Sequence, residues 1–182
     1  MIGSVSKVTW NVSDTPYGLS LTSTGNVLVV IGANKNIISE YTPDGSLVRQ
    51  VTYSGHSWHV AEVNNDRRAI SSTGSVTGIS MLATNGTVIR SFGSAIGSSL
   101  TQMNDVRCFA IDSNGYILAA DRGNNRILVI DPTMTTARQL TLLVNPALQA
   151  PIAVDLDESR GRLYIGEDVG GQSRVLVFDG LC

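Results

Sequence analysis

The chain has 182 residues and a formal net charge of −2; 42% of its residues are hydrophobic and 15% are charged. No run approaches the about 20 apolar residues of a membrane span, and the N-terminus lacks the basic and apolar regions of a signal peptide. The two cysteines, Cys108 and Cys182, are too few for a disulfide scaffold and fit a reducing compartment. These properties predict one soluble, cytoplasmic domain with enough residues for a substantial core.

A fourfold repeat follows a single predicted strand at residues 5–12. The first strands of the four units start 41, 49 and 43 residues apart, at 19–22, 60–63, 109–112 and 152–155. The third strands begin at Ile38, Ile79, Ile127 and Val175. Units of this length are typical of propeller blades, and we place them at about 13–54, 55–98, 103–145 and 146–182. The pattern predicts an all-β propeller.

Residues 109–131 form the clearest unit. Two apolar strands flank Ser113, Asn114 and Gly115. Asn-Gly between such strands is a strong hairpin signal, because both central turn residues adopt positive φ. A polar loop at 121–125 then leads into a third strand, so the unit predicts three consecutive antiparallel strands.

These residues resemble the NHL repeat family, whose β-propeller units run Ile-Ala-Val-Asp, turn, apolar strand, Asp, small polar loop, Asn-Arg-Ile, apolar strand. The third unit matches through Asp121, Asn124, Asn125, Arg126 and Ile127, and the fourth through Asp155, Asp168, Arg174 and Val175. The first two units depart from the motif, with Gly32 and Thr73 at the position of Asp121, and Ile37 and Gly78 at that of Arg126. The resemblance implies NHL-like four-stranded blades.

The number of blades stays open at this point. The resemblance implies six blades, whereas four units fill this chain. The strand at 5–12 and the four units amount to sixteen strands, which make four complete blades if the N-terminal strand pairs with the last unit. The chain is therefore either a four-blade ring, closing alone or by oligomerising through open blade edges, or part of a six-bladed propeller.

The repeated Asp and Arg of the motif predict a structural clamp. They flank the loop between the second and third strands, where a carboxylate can accept loop N–H groups and pair with a guanidinium. We assign this role to Asp121 with Arg126 and to Asp168 with Arg174.

Candidate binding residues lie in the loops at the top of the propeller. Residues 53–59 combine aromatic side chains with both histidines of the chain, and aromatic side chains in such a loop suit a peptide or a stacked base. The predicted partner-binding residues are His56, Trp58, His59, Asn104, Arg107, Arg122 and Asn124. His56 and His59 lack an evident third ligand for a metal, so neither a metal site nor a cofactor is predicted.

A non-catalytic module that binds a protein or peptide is the function that this pattern favours. The NHL resemblance implies a similarity to the substrate-recruiting end of tripartite-motif ubiquitin ligases, although this chain has no RING-type cysteine pattern. An RNA-binding NHL domain is the alternative, which the net charge of −2 disfavours. A metal-dependent hydrolase or lactonase is the second alternative, with Glu62, Asn104 and Asp105 as its sparse oxygen ligands.

Overall fold

The computed structural model describes residues 8–32, 34, 36–73 and 77–180. The first two sheets contain β1 (Pro16–Leu21), β2 (Val27–Ile31), β3 (Ile37–Tyr41), β4 (Leu47–Thr52), β5 (His56–Asn64), β6 (Arg67–Thr73), β7 (Gly78–Ala83), β8 (Val88–Ile96) and β9 (Gln102–Met103). The other two contain β10 (Val106–Ile111), β11 (Ile117–Asp121), β12 (Arg126–Ile130), β13 (Ala137–Gln139), β14 (Pro151–Asp157), β15 (Arg162–Glu167) and β16 (Arg174–Asp179). Short 3₁₀ turns lie at Arg122–Asn124 and Glu158–Arg160.

Each sheet is one blade of a β-propeller. Strands pair antiparallel in chain order within blade 1 (β1–β4), blade 2 (β5–β8), blade 3 (β10–β13) and blade 4 (β14–β16), and β9 adds to β8 in parallel. The innermost strands contact one another in succession, β1 with β5, β5 with β10 and β10 with β14. The predicted all-β propeller with four blades is thereby confirmed. Among the described residues, blade 4 has three strands.

Turn chemistry determines where the hairpins reverse. In blade 3, the Asp112 carboxylate accepts the N–H groups of Asn114 and Tyr116 at 3.0 and 2.7 Å. Gly115 follows in the left-handed region at φ 85°, which a residue without Cβ adopts at little cost. The predicted turn at residues 113–115 therefore joins β10 to β11.

Neighbouring blades pack face to face through alternate side chains of their strands. Leu28, Val30 and Ile38 of blade 1 form one buried cluster with Val60 and Ile70 of blade 2. Equivalent clusters join blade 2 to blade 3 and blade 3 to blade 4. The core is thus a series of inter-blade layers rather than a single centre.

The N-terminal segment covers the other face of blade 1. Trp10 and Val12 pack against Val29, Ile31 and Tyr41 on the face opposite to blade 2, and the Trp10 and Tyr41 ring centroids are 4.8 Å apart. Of the predicted closing strand at 5–12, residues 5–7 lie outside the described part. Its described residues form no strand, and Trp10 packs on blade 1.

Candidate functional site

Every innermost strand contains a β-bulge near its start. The pairing register with the second strand shifts between Pro16 and Leu19, and equivalent shifts occur at 57–60, 106–109 and 151–153. A bulge inserts one extra residue and re-aims the side chains beside it. Tyr17, Trp58 and Arg107 consequently occupy equivalent bulge positions in three adjacent blades. We call this end of the propeller, which the loops between second and third strands also border, the top face.

The three side chains form a continuous stack, called here the mouth stack (Tyr17, Trp58 and Arg107). The Tyr17 and Trp58 rings meet edge to face with their centroids 5.8 Å apart. The guanidinium carbon of Arg107 lies 4.6 Å from the centroid of the Trp58 ring, a cation–π distance. Trp58 Nε1 also donates to Thr73 Oγ1 at 3.1 Å. The side chain of Tyr17 is partly open to solvent, with 39% of the residue exposed.

Asp105 pairs with two arginines of the top face. Its carboxylate lies 3.3 Å from Arg107 Nε and 2.9 Å from Arg122 Nη1. Asp105 itself has a left-handed backbone at φ 54°, which few residues other than glycine adopt. The arginines that were predicted to bind a partner are therefore neutralised in part by this carboxylate.

In blade 3, the two residues predicted to form the clamp, Asp121 and Arg126, are in contact. Asp121 is fully buried, and its carboxylate accepts from Arg126 Nε and from the Asn104 N–H, both at 2.7 Å, and from Asn124 Nδ2 at 2.9 Å. The Arg126 guanidinium also donates to the carbonyls of Ser98, Ser99 and Gln102. Asn104 and Asn124, predicted as partner-binding residues, thus surround Asp121 and hold the loop.

The clamp of blade 4 corrects one predicted residue. Arg174 Nε pairs with Glu167, whose carboxylate also accepts the Gln149 N–H, whereas Asp168 is exposed. The strand register explains the difference, because Glu167 pairs with Arg174 as Asp121 pairs with Arg126. Burial acts to raise the pKa of Glu167, but the hydrogen bonds from Arg174 and Gln149 outweigh it and lower the pKa.

A second layer lies directly below the mouth stack. The His59 ring packs edge to face on Phe109 with centroids 4.9 Å apart. Burial lowers the pKa of His59 to about 4, although the nearby Asp155 carboxylate acts in the opposite direction. Burial also raises the pKa of Cys108, whose thiol lies 3.6 Å from the Val154 carbonyl oxygen. At neutral pH the layer therefore contains an uncharged imidazole and an uncharged thiol.

The innermost strands border a cleft of about 510 Å³. Its walls combine apolar side chains with the polar residues Ser20 and His59, and Glu62 and Asp155 are its two acidic residues. Glu62 is already engaged, since its carboxylate accepts the Ser23 N–H and lies 3.4 Å from Arg68 Nη1. Within the described ranges, no group of three or more His, Cys, Asp or Glu side chains is arranged to hold a metal ion.

The remaining predicted residues are separated. His56 is exposed at the start of β5, whereas His59 is half-buried in the layer below the mouth stack, so the two histidines do not act as a pair. Parts of two top-face loops, at residues 33, 35 and 74–76, lie outside the described residues. In the described part of the chain, no helix is long and apolar enough to cross a membrane. Tyr17 and the bulges were missed by sequence reasoning, because a bulge interrupts the alternation that identifies a strand.

The fold defines the chain as a β-propeller, and comparison with solved structures agrees. A protein of unknown function from Bacteroides caccae superposes with a TM-score of 0.74 at 14% identity, covering 93% of this chain and 66% of the other. The WD40 propeller domain of Doa1 gives a TM-score of 0.62 at 15% identity, covering 85% and 48%. A Bacteroides uniformis protein assigned provisionally as a 6-phosphogluconolactonase gives 0.62 at 22% identity, covering 96% and 57%.

These similarities show the fold alone, because the identities are too low to carry a function. The chain spans about half to two thirds of the length of these three structures. No family model matches the chain, and no curated protein matches it. A propeller of this kind supports a binding or scaffold role in general, since the fold is a platform on which many sites occur.

Proposed function

We propose that this NHL-like propeller is a non-catalytic binding module of the cytoplasm that presents its top face to a protein or peptide partner. In an NHL protein of the ligase type, such a module would recruit the substrate. The mouth stack carries the proposal. Tyrosine, tryptophan and arginine are the residues most enriched at the energetically important centres of protein interfaces.

The geometry of the stack supports this reading. Tyr17, Trp58 and Arg107 come from three different blades and are held together by ring and cation–π contacts. A surface assembled in this way loses little side-chain entropy on binding, because its members are already ordered. The exposed part of Tyr17 and the neighbouring bulges offer an apolar and hydrogen-bonding surface to an extended peptide.

RNA binding is less well supported by the charges. Phosphate recognition requires arginines that are not neutralised locally. Here Arg107 and Arg122 share Asp105, and Arg126 is buried against Asp121. A hydrolase would need free oxygen ligands in the cleft, whereas Glu62 is already bound to Ser23 and Arg68.

Selection from a displayed peptide library, with single-stranded RNA as a second probe, tests the proposal. The Tyr17→Ala variant should lose the peptides that the wild type selects. Tyr116→Ala is the matched control, because Tyr116 is 41% exposed near the 113–115 turn at the opposite end of the propeller. Loss of binding in both variants, or selection of no peptide at all, would overturn the proposal. Binding of RNA that depends on Arg107 would establish the alternative.

A further inference from the structure

An arginine lies at the same position of the outermost strand in blades 1, 2 and 3. The strand registers place it opposite a residue of the third strand, in the pairs Arg49 with Glu40, Arg90 with Met81, and Arg138 with Val129. The three pairs are equivalent, because each lies in line with the second residue of its repeat, namely Ser20, Ala61 or Ala110. Each arginine borders the groove between its own blade and the next one.

In the groove between blades 1 and 2, the arginine binds a carboxylate of the chain itself. Glu40 is buried, and its carboxylate lies 2.9 Å from Arg49 Nε and 3.2 Å from Arg68 Nη2 of blade 2. Asn26 Nδ2 also donates to it at 2.8 Å. The space that remains in this groove is about 20 Å³, which holds about one water molecule. Blade 1 thus shows which group this arginine position accepts.

In the groove between blades 2 and 3, Met81 replaces the glutamate, and a cleft of about 330 Å³ is open. We call it the blade 2–3 cleft. Arg67 borders it together with Arg90, because both side chains lie on the face of blade 2 that is turned to blade 3. Its other lining residues are apolar or uncharged, namely Met81, Ile89, Pro132, Thr133 and Met134.

The two arginines of the blade 2–3 cleft are not neutralised by the described part of the chain. Arg90 Nη1 donates to the Thr133 carbonyl oxygen, and neither guanidinium forms an ion pair with a described carboxylate. Asp131, in the adjacent turn, accepts the N–H groups of Thr135 and Thr136 at 2.8 and 2.6 Å. The cleft therefore combines two exposed positive charges with an apolar floor.

The groove between blades 3 and 4 differs in this respect. Arg138 shares its lining with Asp112 and Glu158. Of the three grooves, the blade 2–3 cleft alone has two arginines and no carboxylate among its lining residues. Both of its walls are four-stranded blades of this chain, so the cleft does not depend on what lies beyond blade 1 or blade 4.

We propose that the blade 2–3 cleft binds an aliphatic carboxylate. The carboxylate takes the place beside Arg90 that Glu40 has beside Arg49, and Arg67 supplies the second guanidinium. A guanidinium presents paired N–H groups that match the two oxygens of a carboxylate. The aliphatic chain then lies on Met81, Ile89 and Met134. The ligand is either a free aliphatic acid or an acidic side chain of a peptide, since both offer this chemistry.

The cleft volume suits a ligand of this size, because small-molecule sites begin at about 300 Å³. The inference is independent of the proposed function. Arg67 follows the turn between the first and second strands, and residues 132–134 belong to the turn between the third and fourth strands. Both turns lie at the end of the propeller opposite to the mouth stack.

Titration with hexanoate, followed by NMR of methionine methyl groups, tests the site. The signals of Met81 and Met134 should shift in a saturable manner, whereas that of Met103, which is fully buried and does not line the cleft, should not. Hexylamine should leave all three unchanged, because it has the wrong charge. Inorganic phosphate should bind more weakly than hexanoate, because it cannot use the apolar floor.

Three substitutions locate the site. Arg67→Gln and Arg90→Gln, at exposed positions, should each weaken hexanoate binding by about tenfold, because each removes a charged hydrogen-bond donor. Arg138→Gln is the matched control, since Arg138 is the equivalent residue of blade 3, and it should retain wild-type binding. Met81→Glu should abolish binding, because it supplies the carboxylate from the chain as Glu40 does in blade 1.

A blocked Gly-Glu-Gly tripeptide, with Gly-Gln-Gly as its control, distinguishes the two sources of the carboxylate. Tighter binding of the glutamate peptide than of hexanoate would identify an acidic peptide, and the reverse order would identify a free acid. Absence of binding by both would overturn the proposal. Tighter binding of phosphate, or an equal loss in Arg138→Gln and Arg90→Gln, would overturn it as well.

Discussion

A buried carboxylate at the end of a second strand holds the top-face loop in blades 3 and 4. Asp121 and Glu167 each accept a backbone N–H from the preceding connection and pair with an arginine on the next strand. Such a pair offsets the desolvation of its charges only through these additional hydrogen bonds. Removing the carboxylate charge leaves a partly buried guanidinium without its counter-ion.

The adjacent residues Glu167 and Asp168 provide a direct test of the clamp. Glu167→Gln should lower the free energy of unfolding by about 1.5 kcal/mol, because it replaces the charged acceptor of Arg174 and of the Gln149 N–H by a neutral amide. Asp168→Asn should change it by less than about 0.5 kcal/mol, because Asp168 is exposed. Urea denaturation monitored by fluorescence measures both. Equal effects of the two substitutions would contradict the corrected register.

His59 should make stability depend on pH. Its pKa of about 4 in the folded protein lies below the ordinary value of 6.5. Between these values the unfolded chain binds a proton that the folded chain does not. The free energy of unfolding should therefore fall as pH decreases from about 6.5 to about 4, by up to about 3 kcal/mol from this group.

The two histidines of the chain allow this contribution to be isolated. His59→Gln should reduce the loss of stability between pH 6.5 and 4, as measured by denaturant titration at each pH. His56→Gln, at an exposed site, should retain the wild-type dependence. An unchanged pH dependence in His59→Gln would show that the carboxylates account for all of it.

At the scale of single elements, the bulge of the innermost strand positions the candidate site. Sequence alternation predicted these strands from Leu19, Val60 and Phe109 onward, and the structure starts them three or four residues earlier. The strand residues that alternation did not predict include all three members of the mouth stack, although Trp58 and Arg107 were predicted as binding residues in loops. Gly18 allows the bulge of blade 1 to approach blade 2, since a Cβ there would lie 2.3 Å from the Trp58 carbonyl oxygen.

Gly18→Ala should therefore destabilise the protein and displace the mouth stack. We expect a loss of more than about 2 kcal/mol, because the contact is with backbone, which cannot rotate away. Gly25→Ala is the comparison, because an added Cβ there would meet nothing within 4 Å. This substitution only forces alanine into a left-handed backbone conformation, which costs about 1 kcal/mol. Thermal unfolding and Trp fluorescence measure stability and stack geometry. An equal loss at both sites would contradict the close approach.

At the scale of the whole molecule, blades 1 and 4 each expose apolar side chains on the face turned away from the neighbouring blade. Leu19 of blade 1 is 58% exposed and Val177 of blade 4 is 52% exposed. Leu19→Glu and Val177→Glu should therefore each change the free energy of unfolding of the chain by less than about 0.5 kcal/mol. Ile127→Glu, at a buried position between blades 3 and 4, is the comparison and should be strongly destabilising. Urea denaturation measures all three, and a large loss at Leu19 or Val177 would contradict their exposure.

The sequence by itself determined the class of fold and the number of repeats. Turn residues such as Asn114-Gly115 and the apolar strands between them act locally, so they can be read without knowing what they pack against. The Asp121–Arg126 pair was also accessible, because both residues belong to one hairpin. The sequence pattern assigned Asp168 rather than Glu167 to the clamp of blade 4, because the pattern does not distinguish two adjacent acidic residues at the start of a loop.

Only the tertiary structure brought Tyr17, Trp58 and Arg107 together. They are about forty to fifty residues apart in sequence, and their contact depends on bulges that alternation cannot reveal. The pairing of Arg107 and Arg122 with one carboxylate likewise arises from the fold. The exposure of Leu19, Val175 and Val177 could not be predicted from the sequence either. An apolar side chain in a strand has the same sequence pattern whether or not a neighbouring blade covers it.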